Sequence, residues 1–122
     1  MKFHLQSPDA NLVTGMGPGW IRVGQTEYRG SVVLLPDTVI EGFAPKGFDA
    51  LTEDDFASLL AYEPEMVLLG TGERQRFPHP RLLAALASAQ VGVEVMDTRA
   101  ACRTFNILVA EDRKVAAALI LG

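Results

Sequence analysis

Three short apolar runs constrain this chain most: "MVLLG" (66–70), "VGVEVM" (91–96) and "VAAALIL" (115–121), separated by stretches of helical pattern. Strand, helix, strand, helix, strand is the order of a βαβαβ unit. Right-handed crossovers then make "MVLLG" and "VGVEVM" parallel and candidates for neighbours. The alanines of "VAAALIL" would also suit a helix; a strand completes the pattern and is the reading adopted.

The first intervening helix is read over Pro80–Gln90, with Leu82, Leu83 and Leu86 facing inward. The second starts at a cap on Asp97 or Thr98 and runs to about Ala110. Its apolar stripe is Ala101, Cys102, Phe105, Leu108 and Val109, while Arg99, Arg103 and Asn106 share the polar face. Ahead of this half, "LVTGMG", "WIRV", "SVVLL" and "TVIEGF" read as strands punctuated by glycine and proline. Trp20, Arg22 and Tyr28 predict a hairpin turning near Gly24, and "GMGPG" reads as a flexible connector between strands. "SVVLLPD" is continuously apolar, which fits a central strand ending at Pro36. Thr52 caps a short helix whose first turn holds Glu53, Asp54 and Asp55, carboxylates suited to the positive end of the dipole. Phe56, Leu59 and Leu60 form its buried stripe, and Pro64 ends it. Without a linker or repeat, residues 1–122 read as a single α/β domain. It combines a central mixed β-sheet, a βαβαβ C-terminal half and an N-terminal β-hairpin region.

A chain of 122 residues with 48% hydrophobic and 21% charged side chains has room for one real core and the profile of a soluble globular protein. Its net charge of −4 argues against a dedicated nucleic-acid binder and leaves room for a local basic patch. One cysteine excludes an intramolecular disulfide and a thiolate zinc cluster; His4 and His79 show no ligand spacing. No metal or cofactor is expected. "MKFHLQSPDA" has one lysine and no apolar run, so it reads as no leader, and no run reaches the length of a membrane span. The expected compartment is a reducing cytoplasm, without membrane insertion.

In open α/β sheets, ligands bind beyond the carboxyl ends of parallel strands. Two loops leave on that edge, "GTGERQRFPHP" (70–80) and "MDTRAACR" (96–103), and adjacent strands would set them across a crevice. Gly70 and Gly72, flanking Thr71, would let backbone N–H groups point outward. Arg74, Arg76, Arg99 and Arg103 could converge there, with Glu73 and Asp97 as carboxylates and free N–H donors at the helix start near Thr98. Each feature has a plainer reading. "GTGERQ" lacks the third glycine of a dinucleotide fingerprint and the lysine of a P-loop. The arginines also read as a solvated rim, and Asp97 as a helix cap. Cys102 lies near Arg99 and Arg103, where a thiol pKa can fall, yet it shares the apolar face with Phe105 and Val109. His79, between two prolines, reads as a turn or cap residue. Asn106 reads as bonding across the crevice or facing solvent.

"TGMGPGWIRV", "SVVLLPD", "LLGTGERQRFP" and "GVEVMDTRAACRTFNILVAEDRKVAAALI" together resemble a family of small α/β domains of unknown function. That family includes the mitochondrial respiratory complex I (NADH:ubiquinone oxidoreductase) assembly factor three and many short bacterial proteins. The resemblance runs over nearly the whole chain. It implies a three-layer fold with a central mixed sheet, helices on one side and a hairpin on the other. The family motif falls on Gly70, Thr71, Gly72, Arg76, Phe77, Pro78, Asp97, Thr98, Ala101, Cys102 and Asn106, with no catalytic role attached. A mitochondrial presequence is missing, which suggests a bacterial member. The resemblance implies association rather than catalysis: a non-enzymatic accessory protein with a protein partner, by analogy assisting assembly of a respiratory or other membrane-associated complex. Phe77, between Arg76 and Pro78, reads as an aromatic anchor or as a residue sealing the core. The alternative is a binder of, or an enzyme acting on, a small anionic ligand in the crevice. A homo-oligomer closing the crevice with its own copy is a third reading.

Overall fold

The computed structural model describes residues 11–121. His4 and the 1–10 stretch read as no leader lie outside the described residues, as does Gly122. An antiparallel sheet holds β1 (Val13–Gly17), β2 (Trp20–Val23) and β3 (Thr26–Arg29) in that order. A mixed sheet holds β4 (Val32–Leu34), β5 (Val39–Glu41), β6 (Met66–Gly70), β7 (Gly92–Met96) and β8 (Val115–Leu119), ordered β5-β4-β8-β6-β7. The helices are α1 (Glu53–Ala57), α2 (Ala84–Ser88) and α3 (Thr98–Ala110).

The βαβαβ reading holds. β6 is parallel to β7, from Met66↔Gly92 to Gly70↔Met96, and parallel to β8 on its other side. β8 is the middle strand and is buried throughout. Its residues face the two layers alternately, which calls for apolar side chains on both faces. The chain steps outward from β6 to β7, then back across β6 to β8. Right-handed connections running in opposite directions place their helices on opposite faces. The packing agrees. Leu86 of α2 joins Phe56 of α1 against Val67 and Leu69, while Ala101, Phe105 and Val109 of α3 pack with Leu68, Val115 and Leu119. The small sheet lies with α3 and gives Ile21 and Val23 to that second cluster. The three layers implied by the resemblance are present, but its helices are divided: α1 and α2 on one face, α3 beside the small sheet on the other.

Three local expectations need adjustment. The Thr52 cap is closed reciprocally: Asp55 N–H donates to Thr52 Oγ1 (3.2 Å) and Thr52 N–H to the Asp55 carboxylate (2.8 Å). The helix then tightens to a 3₁₀ turn over Ser58–Tyr62. Pro80–Gln90 is likewise not one α-helix. Pro80–Leu83 is 3₁₀, and α2 has only five residues. "GMGPG" is no flexible connector: Met16 and Gly17 are in β1, and Pro18–Gly19 make a two-residue turn with Gly19 at φ +76°. Gly17 is required because the Trp20 indole crosses it; a Cβ there would lie 2.5 Å from Nε1.

Candidate functional site

The loops after β6 and β7 do meet, but hydrogen bonds stitch them together. Thr71 N–H donates to Met96 O (2.9 Å) and Thr98 N–H to Gly72 O (2.9 Å). Gly72 N–H donates to Thr98 Oγ1 (2.8 Å), whose own hydroxyl donates to Ile120 O (2.7 Å). The Gln75 amide donates to Val95 O (2.9 Å) on the edge strand. Gly72 therefore turns its N–H inward, at φ +99°, and presents no outward donor. Gly70 serves close approach: a Cβ would stand 3.0 Å from Thr98 Cα and 3.1 Å from Leu119 Cδ2. The start of α3 is also occupied, because Ala100 N–H donates to the Asp97 carboxylate (2.8 Å). Asp97 is thus a cap, and its charge stands where an external anion was expected.

The rest of the first loop is built around Thr71, whose hydroxyl donates to Arg74 O (2.7 Å) and accepts from Arg76 N–H (3.0 Å). His79 Nδ1 accepts from Arg81 N–H (3.1 Å), the cap role read for it. Pro78 is buried, whereas Phe77 is 71% exposed. Phe77 therefore does not seal the core. Arg76 lies over the Phe48 ring at 4.2 Å and pairs with Asp49 at 3.4 Å. Glu73 and Arg74 are exposed.

Three hollows surround this edge. One of about 350 Å³ lies between the Pro18–Gly19 turn and the start of α3, lined by Met16, Glu73, Asp97, Arg99 and Leu121 among others. A wider one of about 560 Å³ includes Phe48, Asp49 and Arg76. A groove of about 240 Å³ between β1 and α3 includes Arg99, Cys102, Arg103 and Asn106. The four arginines do not converge on one crevice: Arg99 and Arg103 share the groove, Arg76 lines the wider hollow, and Arg74 lines none of the three. Asn106 neither spans the crevice nor faces solvent. It accepts from Val13 N–H and donates to Val13 O, each at 2.9 Å, and so pins β1 to α3. Cys102 is buried, and loss of hydration pushes its thiol up to about 11, with Arg99 pulling the other way. Packed with Phe105 and Val109, it fits the reading of a buried residue on the apolar face. Sequence reasoning missed Met16, Pro18, Ile120 and Leu121 as cavity walls; apolar residues at strand ends carry no chemical signature of a site.

A three-layer mixed α/β domain with an occupied switch-point edge and an exposed aromatic loop defines the class of molecule. The chain belongs to the family described as protein of unknown function (DUF498/DUF598), matched over residues 13–120. It is similar to the mouse (Mus musculus) protein named NADH dehydrogenase [ubiquinone] 1 alpha subcomplex assembly factor 3. The two are 42% identical over 93 residues, covering 75% of this chain and 50% of that protein. The chain thus spans about half the length of this curated relative. It is also similar to the "13 kDa major membrane protein" of Francisella tularensis subsp. holarctica, 33% identical over 96 residues and 77% of each chain. Among solved structures, a Bordetella parapertussis protein superposes with a TM-score of 0.84 at 36% identity, covering 95% of this chain and 99% of that one. Among the described residues no helix is long and apolar enough to cross a membrane.

Proposed function

We propose that this protein is a non-enzymatic accessory factor that acts by binding another protein, and that the Phe77 loop is its docking point. The carrying observation is the exposure of Phe77 on a loop held by Thr71, Gln75 and buried Pro78. An aromatic held out by a preorganised loop loses little entropy on docking, and such residues dominate interface energies. The name of the mouse relative supports assembly of a respiratory complex as the process, carried here by analogy. We place the action in the cytoplasm; a single, buried, unpaired cysteine suits a reducing compartment.

The test is affinity purification from the native host, comparing wild type with Phe77→Ala by quantitative mass spectrometry. The exposed substitution leaves the melting temperature unchanged. A partner set held by wild type and depleted roughly tenfold or more by Phe77→Ala is the expected result. Equal recovery by both baits, or no partner from either, overturns the reading.

A further inference from the structure

We infer that the groove between β1 and α3 is a binding site for the phosphate or carboxylate group of a small molecule, held by Arg99 and Arg103. The groove is distinct from the stitched crevice and from the Phe77 loop. Its lining includes two arginines and no acidic residue. The neighbouring 350 Å³ cavity, which Arg99 also lines, sets Glu73 and Asp97 against that one arginine and suits an anion less well.

The arginines are badly placed for stability alone. They sit one turn apart on α3, where like charges repel. Neither forms an ion pair with a described carboxylate; the ion pairs between described residues use Glu27, Asp49 and Glu65. An oxyanion between them would relieve that repulsion, and the guanidinium fork matches its oxygens two at a time.

A third arginine, Arg22 on the neighbouring strand β2, lies beside the groove without lining it. Arg22 lies across Gly15, a residue of the groove wall; a Cβ there would lie 2.7 Å from Nη2, so a larger residue would displace the guanidinium. Arg22 is held by Thr14, through Nε to Oγ1 (3.1 Å) and Nη2 to the carbonyl (3.0 Å), and it pairs with no described carboxylate. The groove is rigid because Asn106 ties Val13 to α3. Cys102, nearly buried, gives the groove an apolar floor. A volume of about 240 Å³ suits one anionic group with a few further atoms.

The experiment is a ¹H–¹⁵N NMR titration of the full chain with sodium phosphate and, separately, sodium citrate, against sodium chloride at matched ionic strength. Saturable shifts at residues 99–103 and at the Arg22 Nε–H are expected, with half-saturation at roughly 1–10 mM. Saturation by either probe supports the site and identifies the preferred group. The Arg99→Gln, Arg103→Gln double variant weakens binding about tenfold or more, with the remaining spectrum unchanged. Arg22→Gln, remote from α3 in sequence, gives a smaller loss and serves should the double variant be poorly folded. Shifts that follow ionic strength alone, or that persist equally in the variants, overturn the inference.

Discussion

Replacing Thr98 by valine tests the claim that the switch-point edge is closed from within. The two side chains have nearly the same shape, so the change removes a hydroxyl and little volume. That hydroxyl accepts from Gly72 N–H at 2.8 Å and donates to Ile120 O at 2.7 Å, and Thr98 is 3% exposed. Gly72 and Ile120 are also buried, so water does not replace the lost partner. Each orphaned buried group costs roughly 1–3 kcal/mol, and the carbonyl, with milder demands, falls at the low end. We expect a total loss of about 2–4 kcal/mol. For a domain of this size, that lowers the melting temperature by roughly 8–15 °C. Urea unfolding reads the loss as a lower midpoint at constant m-value. Amide exchange at Gly72 accelerates beyond the global change, because its N–H is the group left unbonded. Thr98→Ser, which keeps the hydroxyl, retains the Gly72 protection. A Thr98→Val unfolding free energy within about 0.5 kcal/mol of wild type would refute the closed-edge account.

Cys102 should resist alkylation in the native state near pH 7.5 and react fully on unfolding, as a thiol titration will show. Its folded pKa is raised to about 11 from 9.0, so the unfolded chain releases the proton first as pH rises. Its contribution to stability is intact below about pH 9 and is lost toward pH 11, at roughly 1.4 kcal/mol per pH unit in that window. Cys102→Ala removes that part of the slope; an unchanged slope counts against the assignment. Asn106→Asp should destabilise more than Asn106→Ala near neutral pH. It keeps the acceptor for Val13 N–H but turns a carboxylate oxygen toward Val13 O. Urea midpoints ranking the two the other way would refute the two-way bridge.

Legibility from sequence followed the range of the interactions. The parallel strands were readable because a buried strand must be apolar on both faces, as the alternation of β8 between two cores confirms. The Thr52 and Asp97 caps were readable because capping is local, a matter of three residues. Asn106 was not. Its partner, Val13, is 93 residues away, and nothing local distinguishes an asparagine that bridges a backbone from one in water. The division of helices between faces depends on strand order, with β8 returning past β6, and strand order is not a property of any window. The 3₁₀ start before α2 escaped because leucine spacing fits both helix types over one turn. Among site residues, placing Arg76 and Arg99 together assumed that side chains from facing loops point toward each other. Arg76 instead turns to the Phe48 ring, a contact between segments with no shared pattern.

Closing the edge has a consequence for where binding can reside. In sheets of this topology the reversal in strand order leaves a gap that a ligand commonly fills. Here Thr98, Gly72 and Gln75 fill it with the chain's own hydrogen bonds, and Asp97 supplies the charge at the start of α3. The edge thereby becomes a rigid base rather than a mouth. On one side it holds out Phe77; on the other it fixes the Asp97-capped start of α3, on which Arg99 and Arg103 face the β1 groove. Neither surface supports the core. Phe77 is exposed, and the arginines have no described ionic partner, so their substitution costs the fold little. Binding at these two surfaces can therefore change by substitution while the stitched edge beneath them keeps its geometry.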